Sequence, residues 1–136
     1  MPADLAFLLP QPTARPRPAD QAPHLRPPAL PHWHALLGSR WQEQTEKVAM
    51  LSRDCRDARR AAAETGGHDA RQAAFLRAST MWHHAVAEWR ALAEIEAALL
   101  RLAAGRFGWC QHCGAAMAAS RLTQTPQTRY CPDCDH

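Results

Sequence analysis

Two pairs of cysteines near the C-terminal end constrain the fold of this chain more than any other feature. Each pair has two residues between its cysteines, and seventeen residues separate the pairs: Cys110, Cys113, Cys131 and Cys134. This spacing is typical of structural zinc sites, because four thiolates can surround one ion tetrahedrally and leave no coordination position open. About 30 residues cannot build a hydrophobic core alone, so we expect this finger (residues 105–136) to unfold without its zinc ion.

The remaining candidates near the metal site are weaker. His112 and His136 are close in sequence to the cysteines but are not needed as ligands. The alternative to zinc is a pair of redox dithiols, which lacks the strand–helix context of a thioredoxin-like site. The fifth cysteine, Cys55, falls on an apolar helix stripe, where a thiol behaves as a small core residue.

Proline dominates the start of the chain. Most of the eleven prolines lie before residue 32, and proline interrupts helices and cannot donate an amide hydrogen bond. The composition predicts a disordered tail over residues 1–37, although the alternating stretch at residues 15–18 also fits a proline-recognition motif. The N-terminus has no basic region of a signal peptide, and no apolar run approaches the roughly 20 residues of a membrane span. We therefore expect a soluble, cytoplasmic protein.

The stretch between tail and finger predicts two helices. Ser39 and Gln42 form a capping-box pattern that predicts a first helix from about Ser39 to Glu64. Two consecutive glycines at residues 66–67 favour a tight reversal. Asp69 then begins a second capping-box pattern, where its carboxylate would serve as the N-cap of a helix reaching about Ala104.

Both helices carry apolar residues at alternating spacings of three and four, which is typical of a coiled coil. The predicted stripes are Trp41, Val48, Leu51, Cys55, Ala58 and Ala62 in the first helix, and Phe75, Ser79, Trp82, Val86, Trp89, Leu92, Ile95, Leu99 and Leu102 in the second. Two such helices joined by a short turn must lie antiparallel to bury both stripes. The predicted fold is mainly α: an antiparallel two-helix coiled-coil hairpin (residues 38–104, tip 64–70) with the zinc finger at its base and the disordered tail before it.

The stretch of residues 95–134 contains three motifs that occur together in one family. They are Gly-x-Phe-Gly-x-Cys-x-x-Cys-Gly at residues 105–114, a finger loop Arg-Leu-x-x-x-Pro formed by Arg121, Leu122 and Pro126, and the closing Cys-x-x-Cys pair. In these motifs the chain resembles the DksA/TraR family of bacterial zinc-finger transcription factors that bind RNA polymerase. The hairpin before them is similar in architecture only.

The resemblance implies a function and a partner. Members of that family insert the hairpin into the secondary channel of RNA polymerase, where the tip reaches toward the catalytic centre and alters initiation complexes. An acidic tip motif, Asp-x-x-Asp-x-Ala, is typical of the best-known member. Here Asp69 matches the second acid, whereas Gly66 and Arg71 replace the first acid and the alanine. We therefore expect Asp69 and Arg71 to be the polymerase-contacting residues of the tip.

The resemblance also bears on regulation. Family members that respond to guanosine tetraphosphate carry basic residues at three places that correspond here to Glu94, Thr125 and Asp135. Two acids in place of cations repel a polyanion, and the neutral threonine does not attract one. We expect this chain to lack the alarmone site of the family.

Other functions remain open on the sequence alone. A zinc-finger module could bind DNA or a protein partner without entering the polymerase channel; the net charge of only +3 allows weak nucleic-acid binding at most. Four arginines could supply phosphate contacts or form a solvated face: Arg101, Arg106, Arg121 and Arg129. A third alternative is a scaffold that pairs through exposed tryptophans, although Trp82 and Trp89 fit the core stripe better. An enzyme is not expected, since no phosphate loop or nucleophile constellation is present, and we expect a monomer.

Overall fold

The computed structural model describes residues 22–136. Most of the predicted disordered tail, including the alternating Arg-Pro stretch, lies outside the described residues. The described part of the chain contains no helix that is long and apolar enough to cross a membrane.

Two long helices form the body of the molecule. Helix α1 spans Leu30–Glu64 and helix α2 spans His68–Ala103, with 35 and 36 residues. At 1.5 Å per residue, each helix is about 50 Å long. Only three residues connect them, so the helices run antiparallel and pack along their length. This arrangement confirms the predicted hairpin. A short helix α3, Ala119–Gln124, lies in the finger.

Helix α1 begins nine residues earlier than the predicted start at Ser39, which is therefore wrong. The helix begins at Leu30, and a proline occupies its first turn, where the missing amide costs nothing. Gly38 lies inside the helix rather than before it. Trp33 and Leu37 are buried, and their packing outweighs the cost of about 1 kcal/mol for an interior glycine.

The turn at the tip depends on a glycine. Gly67 is the N-cap of α2 and has a φ of 82°, a conformation that glycine adopts without steric cost. No side chain caps this helix, so the prediction that Asp69 is the N-cap is wrong. Asp69 lies instead in the first turn of α2, where its negative charge still interacts favourably with the helix dipole.

The seam between the helices consists mostly of small side chains. The buried residues in the outer part of the hairpin are Val48, Cys55 and Ala62 on α1 and Ala78, Ala85 and Leu92 on α2. Cys55 is thus a core residue, as predicted. Across the edge of the seam, Gln44 donates a hydrogen bond of 2.6 Å to Glu88, which also pairs with Lys47 at 2.7 Å.

The predicted core position of Trp82 and Trp89 is wrong. These side chains are 53 % and 55 % exposed, and Phe75 and Trp41 are 67 % and 39 % exposed. Two parallel stripes on α2 repeat every seven residues, one of alanines ending in Leu92 and one of aromatics. The alanine stripe faces α1, because small side chains let the helices approach closely while the large rings are left at the edge.

The main hydrophobic core lies at the base of the hairpin, where the finger packs against both helices. Its buried members are Trp33, Leu37, Ile95, Ala98, Leu102, Phe107, Met117 and Leu122. The rings of Trp33 and Phe107 lie 5.6 Å apart between centroids. This shared core fixes the finger to the hairpin and explains why α1 extends back past the predicted start.

Residues 22–29 form a segment that we name the N-terminal clasp. It consists of two short 3₁₀ turns at Pro23–Leu25 and Pro27–Ala29. The ring of His24 hydrogen-bonds the Met117 carbonyl of the finger at 2.8 Å, and Trp33 Nε1 donates to the His24 carbonyl at 2.6 Å. Leu25 packs on the base core. The clasp therefore joins the finger to the beginning of α1.

Candidate metal centre

The first cysteine pair lies in a tight turn after helix α2. The turn is closed by hydrogen bonds from the Cys110 amide to the Ala115 carbonyl at 2.8 Å and from the Gly114 amide to the Cys110 carbonyl at 2.9 Å. Gly114 has a φ of 73°, which allows the reversal. The turn thus points both thiols of its Cys-x-x-Cys unit toward the same side.

The second cysteine pair lies on a short 3₁₀ turn, Pro132–Cys134, closed by a bond of 3.0 Å from the Cys134 amide to the Cys131 carbonyl. The backbone joins the two pairs: the Gln111 amide donates to the Arg129 carbonyl at 2.9 Å. This bond holds the second pair close to the first.

The four sulfur atoms form one cluster. All four Sγ atoms lie within 4.8 Å of one another, and those of Cys113 and Cys131 are 3.7 Å apart. A tetrahedral zinc ion with bonds of about 2.3 Å requires sulfur–sulfur distances of about 3.8 Å. The cluster fits one zinc ion in a closed, structural site, as predicted. Neither His112 nor His136 belongs to the cluster.

The thiols differ in how readily they ionise. Hydrogen bonding from the Cys113 amide lowers the pKa of Cys110 to about 6, whereas the side chain of Cys131 raises the pKa of Cys134 to about 12. The first thiolate therefore forms at neutral pH, whereas hydrogen bonding among the thiols and burial oppose ionisation of the last. A bound dication favours the thiolate form of its ligands, which is the contribution that zinc would make.

The predicted finger-loop residues stabilise the loop itself. Leu122 and Pro126 are fully buried. Arg121 donates to the Tyr130 carbonyl at 3.1 Å and to the Asp135 carboxylate at 2.7 Å, so it ties the loop to the segment after the second cysteine pair. These contacts hold the loop beside the second cysteine pair and engage Nε and Nη2 of Arg121 inside the finger.

Two further arginines are also used inside the protein. Arg101 is buried and donates to the Gln127 carbonyl at 3.0 Å; burial lowers its pKa from the ordinary value. Arg129 forms a two-pronged ion pair with Glu94, at 2.6 and 3.0 Å, and this hydrogen bonding raises the pKa of Arg129. These internal pairings were not predictable from the sequence, because each partner is distant along the chain.

The tip residues lie at the opposite end of the hairpin. Asp69 is exposed. Arg71 is also exposed and donates from Nε to the Thr65 carbonyl at 3.3 Å. Because each helix is about 50 Å long, the candidate residues form two separate groups, a metal centre at the base and a small polar tip.

Comparison with known proteins identifies the fold. No protein-family model and no curated protein sequence matches the chain. Among solved structures, the chain is similar to the transcription factor DksA2 from Pseudomonas aeruginosa: the TM-score is 0.73, the identity is 23 %, and the match covers 88 % of this chain and 87 % of the other. The chain has the DksA fold. This likeness confirms, at the level of the fold, the resemblance found in the finger motifs.

Proposed function

We propose that this protein is a transcriptional regulator that binds RNA polymerase through the secondary channel of the enzyme. In this proposal the hairpin enters the channel, the tip approaches the catalytic centre, and the zinc finger remains outside. The main support is the combination of a hairpin about 50 Å long with the fold of a transcription factor over 88 % of the chain. The proposed role is binding and modulation of initiation, without enzymatic activity.

The small size and the polarity of the tip support an orientation in which the tip enters the channel first. The tip has no bulky cap: it consists of a short turn with two glycines, and its side chains are exposed from Gly66 to Arg71. Asp69 presents its carboxylate there, and Arg71 lies two residues further on the same helix. A narrow polar end with one acid and one base can form directed contacts with polar groups at the bottom of a channel.

The alternative, a zinc finger that binds DNA, is less well supported. Of the four arginines that could contact phosphates, Arg101, Arg121 and Arg129 donate hydrogen bonds inside the protein. Phosphate binding would have to break these bonds, and one of the three is a buried side chain. Within residues 22–136, Arg106 alone of this set is exposed without such a contact, and one arginine of the finger is too little charge for a phosphate surface.

We further propose that guanosine tetraphosphate does not act through this protein. Glu94 and Asp135 occupy positions where responsive relatives carry cations, and each carboxylate is paired with an arginine of the finger. The two ion pairs partly neutralise Arg121 and Arg129, so these arginines attract a phosphate group less strongly. Tight binding of the alarmone to a preformed polymerase complex, lost when this protein is omitted, would contradict this proposal.

The direct test is binding of the zinc-loaded protein to core RNA polymerase in competition with a known secondary-channel factor. We expect mutually exclusive binding. Failure to bind, or simultaneous binding of both proteins, would contradict the channel proposal.

Asp69→Ala separates the tip from the docking surfaces. We expect this variant to bind core polymerase but to lose most of its effect on initiation in a transcription assay. Asp54→Ala removes an exposed acid from the middle of α1 and serves as the matched control, with no expected effect on either measurement. Equal losses of the effect on initiation in both variants would show that this effect depends on net charge rather than on the tip.

A further inference from the structure

One side of the hairpin carries an open groove between α1 and α2. It comprises two adjoining cavities of about 530 and 400 Å³ that share Arg59 and Trp82. Its floor is formed by Ala62, Ala78 and Ala85, the small residues of the seam. We name this feature the arginine–tryptophan groove. None of its lining residues belongs to the zinc finger, and at its outer end it reaches Arg71 beside the tip.

The aromatic wall of the groove repeats at a fixed interval. Phe75, Trp82 and Trp89 line it and are separated by seven residues each, or about 10.5 Å along the helix. All three rings are more than half exposed, which leaves a large apolar surface open to water. A third helix that packs alongside this wall as in a coiled coil would also carry its apolar side chains in a seven-residue repeat. The spacing of the wall therefore matches that of such a helix.

The charged wall of the groove has a single sign. The charged residues among its described lining are Arg56, Arg59 and Arg71. Within the described part of the chain, Arg56 and Arg59 have no hydrogen-bond or ion-pair partner. Three cations beside an apolar wall, with no carboxylate in the lining, favour an occupant that is both apolar and acidic.

We propose that the arginine–tryptophan groove binds an acidic amphipathic helix of another protein. Its apolar residues would fill the spaces between successive aromatic rings, and its carboxylates would pair with the arginines of α1. The aromatic wall from Phe75 to Trp89 is about 21 Å long, which accommodates a partner helix of about fourteen residues. This inference concerns a side of the hairpin and does not rest on polymerase binding.

Other occupants fit less well. A second copy of this chain would bring the arginines of both chains together, because a twofold interface pairs identical surfaces. Residues 1–21 carry two acids and two arginines, so they offer no net negative charge. A nucleic-acid strand would extend beyond the groove along a hairpin that carries acidic and basic residues in similar number, where its phosphates would be repelled as often as attracted.

The test uses the full zinc-loaded chain and a designed probe. The probe is a fluorescently labelled, hydrocarbon-stapled helical peptide of three heptads, with leucine at a and d and glutamate at most other positions. A scrambled peptide of the same composition and a version with lysine in place of glutamate serve as ligand controls. Fluorescence anisotropy measures binding at low and high salt. We expect only the acidic amphipathic peptide to bind, and more weakly at high salt.

Exposed residues provide matched variants that should leave the fold intact. Arg59→Glu and Trp82→Ala alter the groove, and each is expected to weaken peptide binding by at least about tenfold. Arg60→Glu changes the neighbouring exposed arginine, and Leu100→Ala removes a side chain that is 71 % exposed; neither lines the groove. We expect neither control to change binding.

Several results would overturn the proposal. These are no binding of the acidic peptide, equal binding of the scrambled peptide, or equal losses in the groove and control variants. Tight binding of a single-stranded oligothymidylate in place of the peptide would assign the groove to nucleic acid. Concentration-dependent dimers that Trp82→Ala abolishes, seen by analytical ultracentrifugation, would assign it to a second copy.

Discussion

Trp33 at the base of the hairpin is expected to contribute more to stability than any tryptophan of the aromatic wall. It is 3 % exposed, and its Nε1 donates a hydrogen bond of 2.6 Å to the His24 carbonyl. A fully enclosed tryptophan side chain buries about 200 Å², and at about 25 cal/mol per Å² this corresponds to about 5 kcal/mol. Trp82 is 53 % exposed, so its burial corresponds to at most about 2 kcal/mol by the same rule.

The assay is urea unfolding followed by far-ultraviolet circular dichroism, with zinc in excess throughout. We expect Trp33→Ala to lower the free energy of unfolding by about 5 kcal/mol and Trp82→Ala by at most about 2 kcal/mol. Trp33→Phe keeps a ring but removes the hydrogen bond to the clasp. We expect this variant to lose about 1–2 kcal/mol of unfolding free energy, less than Trp33→Ala. This milder variant keeps the comparison measurable if Trp33→Ala does not fold.

The reasoning would be refuted by equal losses in Trp33→Ala and Trp82→Ala. That result would mean that the aromatic wall, rather than the alanine stripe, faces α1. A loss in Trp33→Phe as large as that in Trp33→Ala would place most of the effect in the clasp hydrogen bond rather than in ring packing.

Three further predictions concern the metal, an ion pair and a pH effect. Cys113→Ser should lower zinc stoichiometry below one per chain by elemental analysis and lower the melting temperature, because three thiolates hold zinc less well than four; an unchanged stoichiometry would contradict the site. The pair Glu94–Arg129 is partly exposed, so a double-mutant cycle with alanine should give a coupling of about 0.5–1 kcal/mol, and a coupling of zero would mean that the contact adds no stability. Hydrogen bonds from Lys47 and Gln44 lower the pKa of Glu88 from its ordinary value of 4.5, so its carboxylate stabilises the fold above that pH and loses this effect as pH falls through the lowered pKa. Unfolding midpoints at neutral and acidic pH should therefore differ less in Glu88→Gln than in the unmodified protein.

The metal centre was predictable from sequence because its determinants are local. Each Cys-x-x-Cys pair places two thiols on one turn, whatever the remainder of the chain does. The hairpin was also predictable, since heptad spacing and the glycines at residues 66–67 act within a few residues. The similarity to DksA2 at 23 % identity agrees with this: the architecture persists where most side chains differ.

The face of α2 that packs on α1 was not predictable from the spacing of its apolar residues. The stripe through Trp82 and the stripe through Ala85 both repeat every seven residues, and hydrophobicity favours the tryptophans. Which of the two stripes faces α1 depends on the side chains of α1. Its small residues Cys55 and Ala62 allow close contact only with small residues opposite. Periodicity within one helix carries no information about the side-chain volumes of its partner.

The start of α1 and the clasp were missed for a different reason. A proline-rich composition predicts disorder when it is considered alone. Here His24 and Leu25 contact the finger, which is far away in sequence, and Trp33 packs on Phe107. Long-range contacts of this kind supply the free energy that orders the segment. Local sequence patterns do not predict such contacts.

The small side chains of the outer seam make local stability uneven along the hairpin. The large buried side chains are concentrated at the base, whereas Ala62 and Ala78 bury little area near the tip. Opening a few turns at the tip therefore costs much less than opening the base. Amide hydrogen exchange should be slow around Leu37 and Leu102 and become faster toward Gly66. The hairpin then behaves as a rod clamped at one end, whose free end, where Asp69 lies, undergoes the largest fluctuations.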